Sequence, residues 1–134
     1  MNIKEDFVEF EGEKFYTRNK ISLVMVGLGI QTLNEIKGLN DLSDLEILYL
    51  DGNSLTKFEG LGTFKKLKKL NLTVNRINSL SISDNITNLE VLELSGNQIK
   101  VIKGLENLSN LIELRIEENK LREIPSLGRL ENLK

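Results

Sequence analysis

Residues 89–99 read LEVLELSGNQI, and three other stretches of the chain repeat this pattern in phase. Residues 45–55 read LEILYLDGNSL, residues 67–77 read LKKLNLTVNRI, and residues 111–121 read LIELRIEENKL. The asparagines of these stretches recur at intervals of 22 residues, at Asn53, Asn75, Asn97 and Asn119. A constant interval of this size is typical of stacked structural repeats, each of which contacts its neighbours. The sequence therefore predicts a solenoid.

The composition permits a buried core and does not favour catalysis. The 134 residues are 40% hydrophobic and 28% charged, and the formal net charge is −2, which favours neither a nucleic acid nor a membrane surface as partner. The chain has no histidine and no cysteine, so it lacks the commonest general base and the usual zinc ligands. We therefore expect no enzyme activity, no cofactor and no metal site. The first residues, MNIKED, lack the pattern of a signal peptide, and we expect a cytoplasmic protein.

Within each repeat, alternating apolar residues predict a short strand with one buried face. The asparagine comes at the bend that ends the strand, where its amide can donate to and accept from buried backbone groups. Stacked from repeat to repeat, these asparagines would form a ladder. The strand residues expected in the core are Leu48, Leu50, Leu70, Leu72, Leu92, Leu94, Leu114 and Ile116.

The other half of each repeat has apolar residues three positions apart, which suits 3₁₀ turns or extended segments. Repeat three departs from this spacing, because Ser83 replaces the expected leucine and Ile82 comes one place early. Either the segment shifts so that Ile82 fills the core, or Ser83 is buried with a backbone partner. The spaced residues are Leu55, Phe58, Leu61 and Phe64; Ile99, Ile102, Leu105 and Leu108; and Leu121, Ile124, Leu127 and Leu130.

The N-terminal part does not fit the repeat. In residues 1–20, two β-prone pieces flank Glu11 and Gly12, which predicts a β-hairpin. We interpret this segment as a cap over the first repeat; the alternative is a separate binding element. Subtracting one period from repeat two places Leu23, Val26, Leu28, Gln31 and Leu33 on core positions, with Gln31 in place of the asparagine. The run Gly27-Leu28-Gly29 between them is either a weak phosphate-loop signal or a site of close backbone packing.

The pattern Leu-x-x-Leu-x-Leu-x-x-Asn-x-Leu resembles the leucine-rich repeat, closely over residues 42–127 and more loosely over 23–41. Its short period, with Gly38-Leu39 and Gly104-Leu105 in phase, is similar to the 22-residue class that includes phosphatase-regulator-type repeats and bacterial internalins. The resemblance implies a mostly β solenoid of the α/β type, a curved right-handed superhelix with a concave parallel sheet and 3₁₀ or extended convex segments. It also implies that the concave face binds a protein. Residues 21–134 would then hold five repeats and an unfinished sixth, which begins at Leu130 and Leu133.

The residues between the core leucines are expected to point onto the concave face, where stacking arranges them in rows. Subtracting the period places Met25, Gly27 and Gly29 at the head of the three rows. Tyrosine and arginine are frequent interface anchors, so Tyr49 and Arg115 are the leading candidates. The alternative is a solvated sheet face on which Glu93 pairs with Arg115. The candidate binding residues are Ile47, Tyr49, Asp51, Lys69, Asn71, Thr73, Val91, Glu93, Glu113, Arg115 and Glu117.

We predict a non-enzymatic scaffold or adaptor whose partner is a protein, with no nucleic acid and no membrane partner. One alternative is a regulatory or sensor module of a larger GTPase or phosphatase assembly, suggested by the unfinished sixth repeat. Another is binding of RNA or anionic lipid by the lysines of residues 65–69, although a solvated ridge is the simpler interpretation in an acidic chain. The chain would be a monomer, or it would associate through the edge of its last repeat.

Overall fold

The chain is a parallel β-solenoid. Its structure, a computed structural model, describes residues 6–57, 59, 61–82, 86–123, 125–127 and 130–134. Five three-residue strands form one parallel sheet, in the order of the chain. The predicted fold class, a mostly β solenoid with a parallel sheet and 3₁₀ or extended segments opposite, is confirmed. The sheet strands are β3 (Ser22–Val24), β4 (Ile47–Tyr49), β5 (Lys69–Asn71), β7 (Val91–Glu93) and β9 (Glu113–Arg115).

The core is built from stacked rows of leucine. Leu48, Leu70 and Leu92 are paired in register on successive strands and have no exposed surface. Because side chains alternate across a strand, the residues on either side of each of these leucines face outward. Burying a leucine contributes about 1.5–3 kcal/mol, so each repeat is stabilised mainly by contact with its neighbours.

The opposite side carries the 3₁₀ turns that the spacing of three predicted. They span Leu33–Glu35, Leu39–Asp41 and Leu105–Asn107. Two further short strands, β6 (Ser79–Ser81) and β8 (Val101–Lys103), pair in parallel on this side. Ile82 is buried, as the shifted register of repeat three requires. Ser83, Phe58 and Ile124, which also entered the predicted convex pattern, lie outside the described residues.

Each asparagine of the repeat connects two consecutive repeats. The Asn97 amide donates to the carbonyls of Leu72 and Leu94, both at 2.9 Å, and its Oδ1 accepts from the Ile77 amide at 3.0 Å. Asn75 makes the same three kinds of contact one repeat earlier. Asn119 makes them one repeat later. The bend therefore has its buried backbone groups paired by side-chain amides.

A second row of asparagines, which the sequence interpretation missed, lies at the turn before the strands. Asn88, Asn110 and Asn132 donate to the carbonyls of the preceding repeat, at 2.7, 2.9 and 3.3 Å respectively. These asparagines also recur every 22 residues. They are exposed, so they contribute less to stability than the buried row.

The N-terminal segment forms an antiparallel hairpin of β1 (Phe7–Phe10) and β2 (Glu13–Tyr16). Glu11 and Gly12 both have positive φ, the conformation that a two-residue hairpin turn of type I′ requires. Val8 and Phe10 are buried in the same core as the repeats. This packing is what a cap over the first repeat needs, and the boundary at residue 20 stays a prediction.

The predicted register of the first repeat is wrong. Ser22 pairs with Ile47, an interval of 25 residues where the later strands have 22. The three additional residues lie in the segment 31–35, which forms its own 3₁₀ turn with a capping box between Thr32 and Glu35. Met25 is therefore fully buried, whereas Val26 is 45% exposed.

The same shift changes which residue stands at the asparagine position. Asn53 Oδ1 accepts from the backbone amides of Leu28 and Ile30, so Leu28 occupies the equivalent place in the first repeat. Gln31, which the subtraction placed there, is exposed, and its backbone amide donates to Glu35. Leu28 has no side-chain amide, so at this bend only Asn53, from the second repeat, supplies side-chain hydrogen bonds.

Among the five described non-glycine residues with positive φ, Val74 is the only β-branched one. Val74 has φ of +53°, at the place where Gly27, Gly52 and Gly96 stand in other repeats. Positive φ costs an L-residue roughly 1–2 kcal/mol, and a β-branched side chain is a true outlier there. Val74 is also 64% exposed, so its side chain contributes little to the core.

We therefore expect Val74→Gly to stabilise the protein. The gain in the free energy of unfolding should be about 0.5–1 kcal/mol, because the relief of strain exceeds the entropy cost of glycine. Thermal unfolding should show a melting temperature higher by about 2–4 °C. Val24→Gly is the matched control, since Val24 is 50% exposed but lies in a regular strand. This control should lower the melting temperature; a drop in both variants would contradict the assignment of strain.

Candidate protein-binding face

The concave side of the sheet presents three rows of outward side chains. Their register follows from the parallel pairing of the strands and from the backbone bonds that continue beyond them. All eleven predicted site residues lie on this face, and their role in binding stays a prediction. The first row is Ser22, Ile47, Lys69, Val91 and Glu113; the second is Val24, Tyr49, Asn71, Glu93 and Arg115; the third is Val26, Asp51, Thr73, Ser95 and Glu117.

The first member of each row differs from the prediction. Met25, Gly27 and Gly29 were expected there, and the register of β3 places Ser22, Val24 and Val26 instead. The sequence could not show which residues of this strand face outward. Residues 23–26 are all apolar, so there is no alternation of apolar and polar residues to separate the two faces. The correction adds two exposed valines to the face.

The N-terminal end of the face is apolar. Val24 and Val26 are about half exposed, and Ile47 and Tyr49 lie beside them on the next strand. The Lys69 ammonium lies 5.3 Å from the centre of the Tyr49 ring, within the range of a cation–π contact. The neighbouring Tyr49 side chain, together with the negative charge of Glu93 and Glu113, raises the pKa of Lys69. Lys69 is therefore a fixed cation at the border of an apolar patch.

The C-terminal end of the face is charged, with pairs that differ from the expected one. Arg115 Nε lies 2.6 Å from Glu113 Oε1 on its own strand, and Lys69 lies 4.0 Å from Glu93. Glu93 and Arg115 are adjacent in register, but the predicted pairing between them is not what forms in the described structure. Exposed pairs such as these contribute little to stability, so a partner can rearrange them at low cost.

The two acids of the third row, Asp51 and Glu117, have different surroundings. Ser95 Oγ donates to Glu117 Oε2 at 2.5 Å, and this hydrogen bond lowers the pKa of Glu117. Asp51 is half-buried, and its Oδ1 atom is withdrawn from water with no hydrogen-bond partner in the described part of the chain. A buried oxygen without a donor costs about 1–3 kcal/mol. Asp51 is therefore the acid on this face that most needs a donor.

The basic run of residues 65–69 does not form a bare cationic patch. Lys66 pairs with Asp44 at 2.6 Å, and Lys68 with Glu46 at 3.5 Å. Lys69 points onto the concave face instead. The hydrogen bond to Asp44 raises the pKa of Lys66 and lowers the pKa of Asp44. These acids reduce the positive charge that RNA or an anionic lipid would meet.

The glycine run of the first repeat does not offer a phosphate cradle. The Gly27 amide donates to the Asp51 carbonyl, and the Leu28 amide donates to Asn53 Oδ1. These donors are engaged in stacking the first two repeats.

Within the described residues, no group of three or more His, Cys, Asp or Glu side chains is arranged to hold a metal ion. The described part of the chain also has no helix of the length and apolarity needed to cross a membrane.

Comparison with known proteins agrees with this geometry. A family model of leucine-rich repeats, comprising two copies, matches residues 87–132. The chain has the leucine-rich repeat fold. Two solved structures of Listeria monocytogenes superimpose on this leucine-rich repeat chain over most of its length. With internalin C2 the TM-score is 0.71 at 28% identity over 84% of the chain. With an internalin named inlF it is 0.70 at 27% identity over 85%.

The likeness concerns part of each internalin. The chain spans 49% of the length of the internalin C2 structure and 33% of the inlF structure. None of the curated proteins compared with the chain matches it significantly. The leucine-rich repeat fold and its internalin-like neighbours support a role in protein interaction in general, and folds of this type are typically non-enzymatic.

Proposed function

We propose that this leucine-rich repeat protein is a non-enzymatic scaffold that binds a protein partner on its concave face. The observation that carries the proposal is the apolar end of that face. Val24 and Val26 are 50% and 45% exposed, and Ile47 and Tyr49 continue the same surface. Exposed apolar clusters bordered by charged groups mark interaction sites in soluble proteins. Tyrosine and arginine, present here as Tyr49 and Arg115, are enriched among interface anchors.

The shape and charge of the face favour a protein over the other partners considered. The paired lysines of residues 66–68 offer little free positive charge for RNA or anionic lipid. A regulatory module of a larger enzyme assembly would use the same face and stays a hypothesis, as does the cytoplasmic location. We also infer that the chain lacks catalytic activity of its own, because its sequence has no histidine to act as general base and no cysteine to act as nucleophile.

The test is loss of capture when three face residues are replaced. A variant with Ile47→Ser, Tyr49→Ala and Arg115→Ala should retain less than about a tenth of the partner recovered by affinity capture from a lysate of the source organism. Quantitative mass spectrometry measures the recovery. The three side chains are half-buried or exposed, so the melting temperature should fall by only a few degrees.

A matched control carries three substitutions on the opposite side. Thr56→Ala, Lys100→Ala and Glu106→Ala change exposed residues outside the concave sheet. This variant should capture the same proteins as the unmodified chain. If the concave variant captures them equally well, or if the control loses them, the concave face is not the binding surface.

A further inference from the structure

The N-terminal hairpin continues the concave face beyond its first strand. Arg18 and Ser22 form an antiparallel bridge, in which each amide donates to the other residue's carbonyl, at 2.8 and 3.2 Å. Residues directly opposite each other in such a pair have side chains on the same face of the sheet. Ser22 heads the first row of the concave face, so Arg18 lies on that side too. Thr17 and Leu23, the neighbours on the other side, are both buried. The outer face of the hairpin and the concave face are therefore one surface.

An aromatic pair lies on the outer face of the hairpin. Phe7 and Tyr16 are opposite each other in register, their ring centres are 5.6 Å apart, and they are 39% and 54% exposed. Tyr16 comes two residues before Arg18, so its side chain points to the same side as the concave face. Val24 and Val26, which are about half exposed, follow at the first strand of the sheet. These two aromatic residues and two valines are called the apolar cap surface, and exposed clusters of this kind mark interaction sites.

Two cations border the apolar cap surface and are not paired with an acid in the described structure. The Lys14 ammonium lies 4.5 Å from the centre of the Phe7 ring, within the range of a cation–π contact. Glu9 is opposite Lys14 in register. Even so, no carboxylate of the described residues lies within 4.0 Å of the charged group of Lys14 or Arg18, whereas four other basic side chains have such a partner. Lys14 and Arg18 are therefore available to a negatively charged group.

The positive charge is confined to this end of the chain. Residues 14–34 contain Lys14, Arg18 and Lys20 and no acidic residue, although the formal charge of the whole chain is −2. All three basic residues are exposed. The far end of the concave face carries the acids at positions 113 and 117 instead. A local positive charge beside exposed apolar side chains is complementary to a short acidic segment, whereas an extended anionic surface would also meet the acidic remainder of the chain.

We propose that the apolar cap surface, together with Lys14 and Arg18, binds an acidic segment of the protein partner that carries large apolar side chains. The apolar side chains pack on Tyr16 and Val24, and the carboxylates pair with the two cations. Arg18 is the main charged anchor, because a guanidinium can donate to both oxygens of a carboxylate. This inference rests on the proposed function, since it states the chemistry of the partner and extends its binding surface onto the cap.

The test uses a small peptide as probe, so it does not depend on knowing the partner. The ¹⁵N-labelled full chain is titrated with a capped pentapeptide in which glutamate alternates with phenylalanine and leucine, and the amide chemical shifts are followed. The matched probe has glutamine in place of each glutamate. We expect saturable shifts at the amides of residues 14–18 and 22–26 with the acidic probe. The affinity for the glutamine probe should be at least about fivefold weaker, and the difference should shrink at about 0.5 M salt.

Variants separate the two parts of the surface. Arg18→Gln should weaken binding of the acidic probe by about fivefold or more and leave the glutamine probe unchanged. Arg76→Gln, which changes an exposed arginine outside the concave sheet, should leave both affinities unchanged. Tyr16→Ser should weaken both probes by about fivefold or more. The replaced side chains are exposed, so the melting temperature of each variant should stay within a few degrees of that of the unmodified chain.

Several outcomes would overturn the acidic partner segment. These are equal affinities for the two probes, shifts centred on residues 113–117, and no saturable shift. A dimer in analytical ultracentrifugation that Arg18→Gln dissociates would show that a second copy covers the surface. Cosedimentation with phosphatidylserine vesicles that the same variant abolishes would assign the surface to lipid. The capture experiment on Ile47, Tyr49 and Arg115 uses other residues, so the proposed function can stand if the cap binds no acidic segment.

Discussion

Asn97→Leu should lower the free energy of unfolding by about 3–5 kcal/mol. Leucine has a similar volume but can neither donate nor accept, so the carbonyls of Leu72 and Leu94 and the amide of Ile77 lose their partner. Each unpaired buried group costs about 1–3 kcal/mol. Asn97 is 6% exposed, so water cannot replace the amide without opening the bend. Urea unfolding followed by circular dichroism measures the change as a lower midpoint with a similar slope.

Gln31→Leu is the control for this prediction. Gln31 is exposed and lies just before the 3₁₀ turn Leu33–Glu35 of the first repeat, outside the asparagine row. Its substitution should shift the urea midpoint by no more than the equivalent of about 0.5 kcal/mol. Equal shifts for the two variants, or a nearly neutral Asn97→Leu, would show that the amides are not essential to the bend.

Repeats two to five could be predicted because a constant period repeats one set of physical requirements. Alternation at Leu48 and Leu50 fixes which side of the strand is buried, and the asparagine three residues after Leu50 fixes where the strand ends. The parallel register then follows, since equivalent residues stack on one another. The same reasoning placed all eleven predicted site residues on the concave face.

The first repeat could not be predicted by the same subtraction. Its additional residues form a turn within residues 31–35, so the interval of 22 residues does not apply. Leu28 holds the asparagine position, so the residue that marks the end of the strand in other repeats is absent as well. The run from Leu23 to Val26 is apolar throughout, which removes alternation as a guide. As a result the sequence interpretation placed Val26 in the core and missed Val24 as a face residue.

Details of the candidate site depend on geometry that a period does not contain. Arg115 is long enough to reach either Glu93 or Glu113, and in its observed rotamer the guanidinium contacts Glu113. The Asp51 Oδ1 atom has no hydrogen-bond partner in the described structure, because no neighbouring donor lies within reach of it. The positive φ of Val74 could have been suspected by aligning it with Gly52 and Gly96, because a shared backbone imposes one conformation on each column of the repeat.

Gly104→Ala should be the most damaging single change on the convex side, lowering the free energy of unfolding by about 3–5 kcal/mol. Gly104 has φ of +82° and precedes the 3₁₀ turn Leu105–Asn107. A β-carbon there would lie 2.5 Å from the Ile82 carbonyl oxygen and 3.2 Å from its amide nitrogen. Backbone cannot swing aside as a flexible side chain would, so the small strand pair β6 and β8 must separate or shift.

Gly38→Ala isolates the steric part of this effect, because Gly38 has the same conformation at the same place in an earlier repeat. Its φ is +85°, but the nearest atom to an added β-carbon is the Phe7 carbonyl oxygen at 3.6 Å, an ordinary contact. Alanine there should cost only the left-handed conformation, roughly 1–2 kcal/mol. Thermal and urea unfolding of both variants measures the difference. If Gly104→Ala costs no more than Gly38→Ala, the convex segments can separate freely, and the close approach of Ile82 to Gly104 does not hold repeats three and four together.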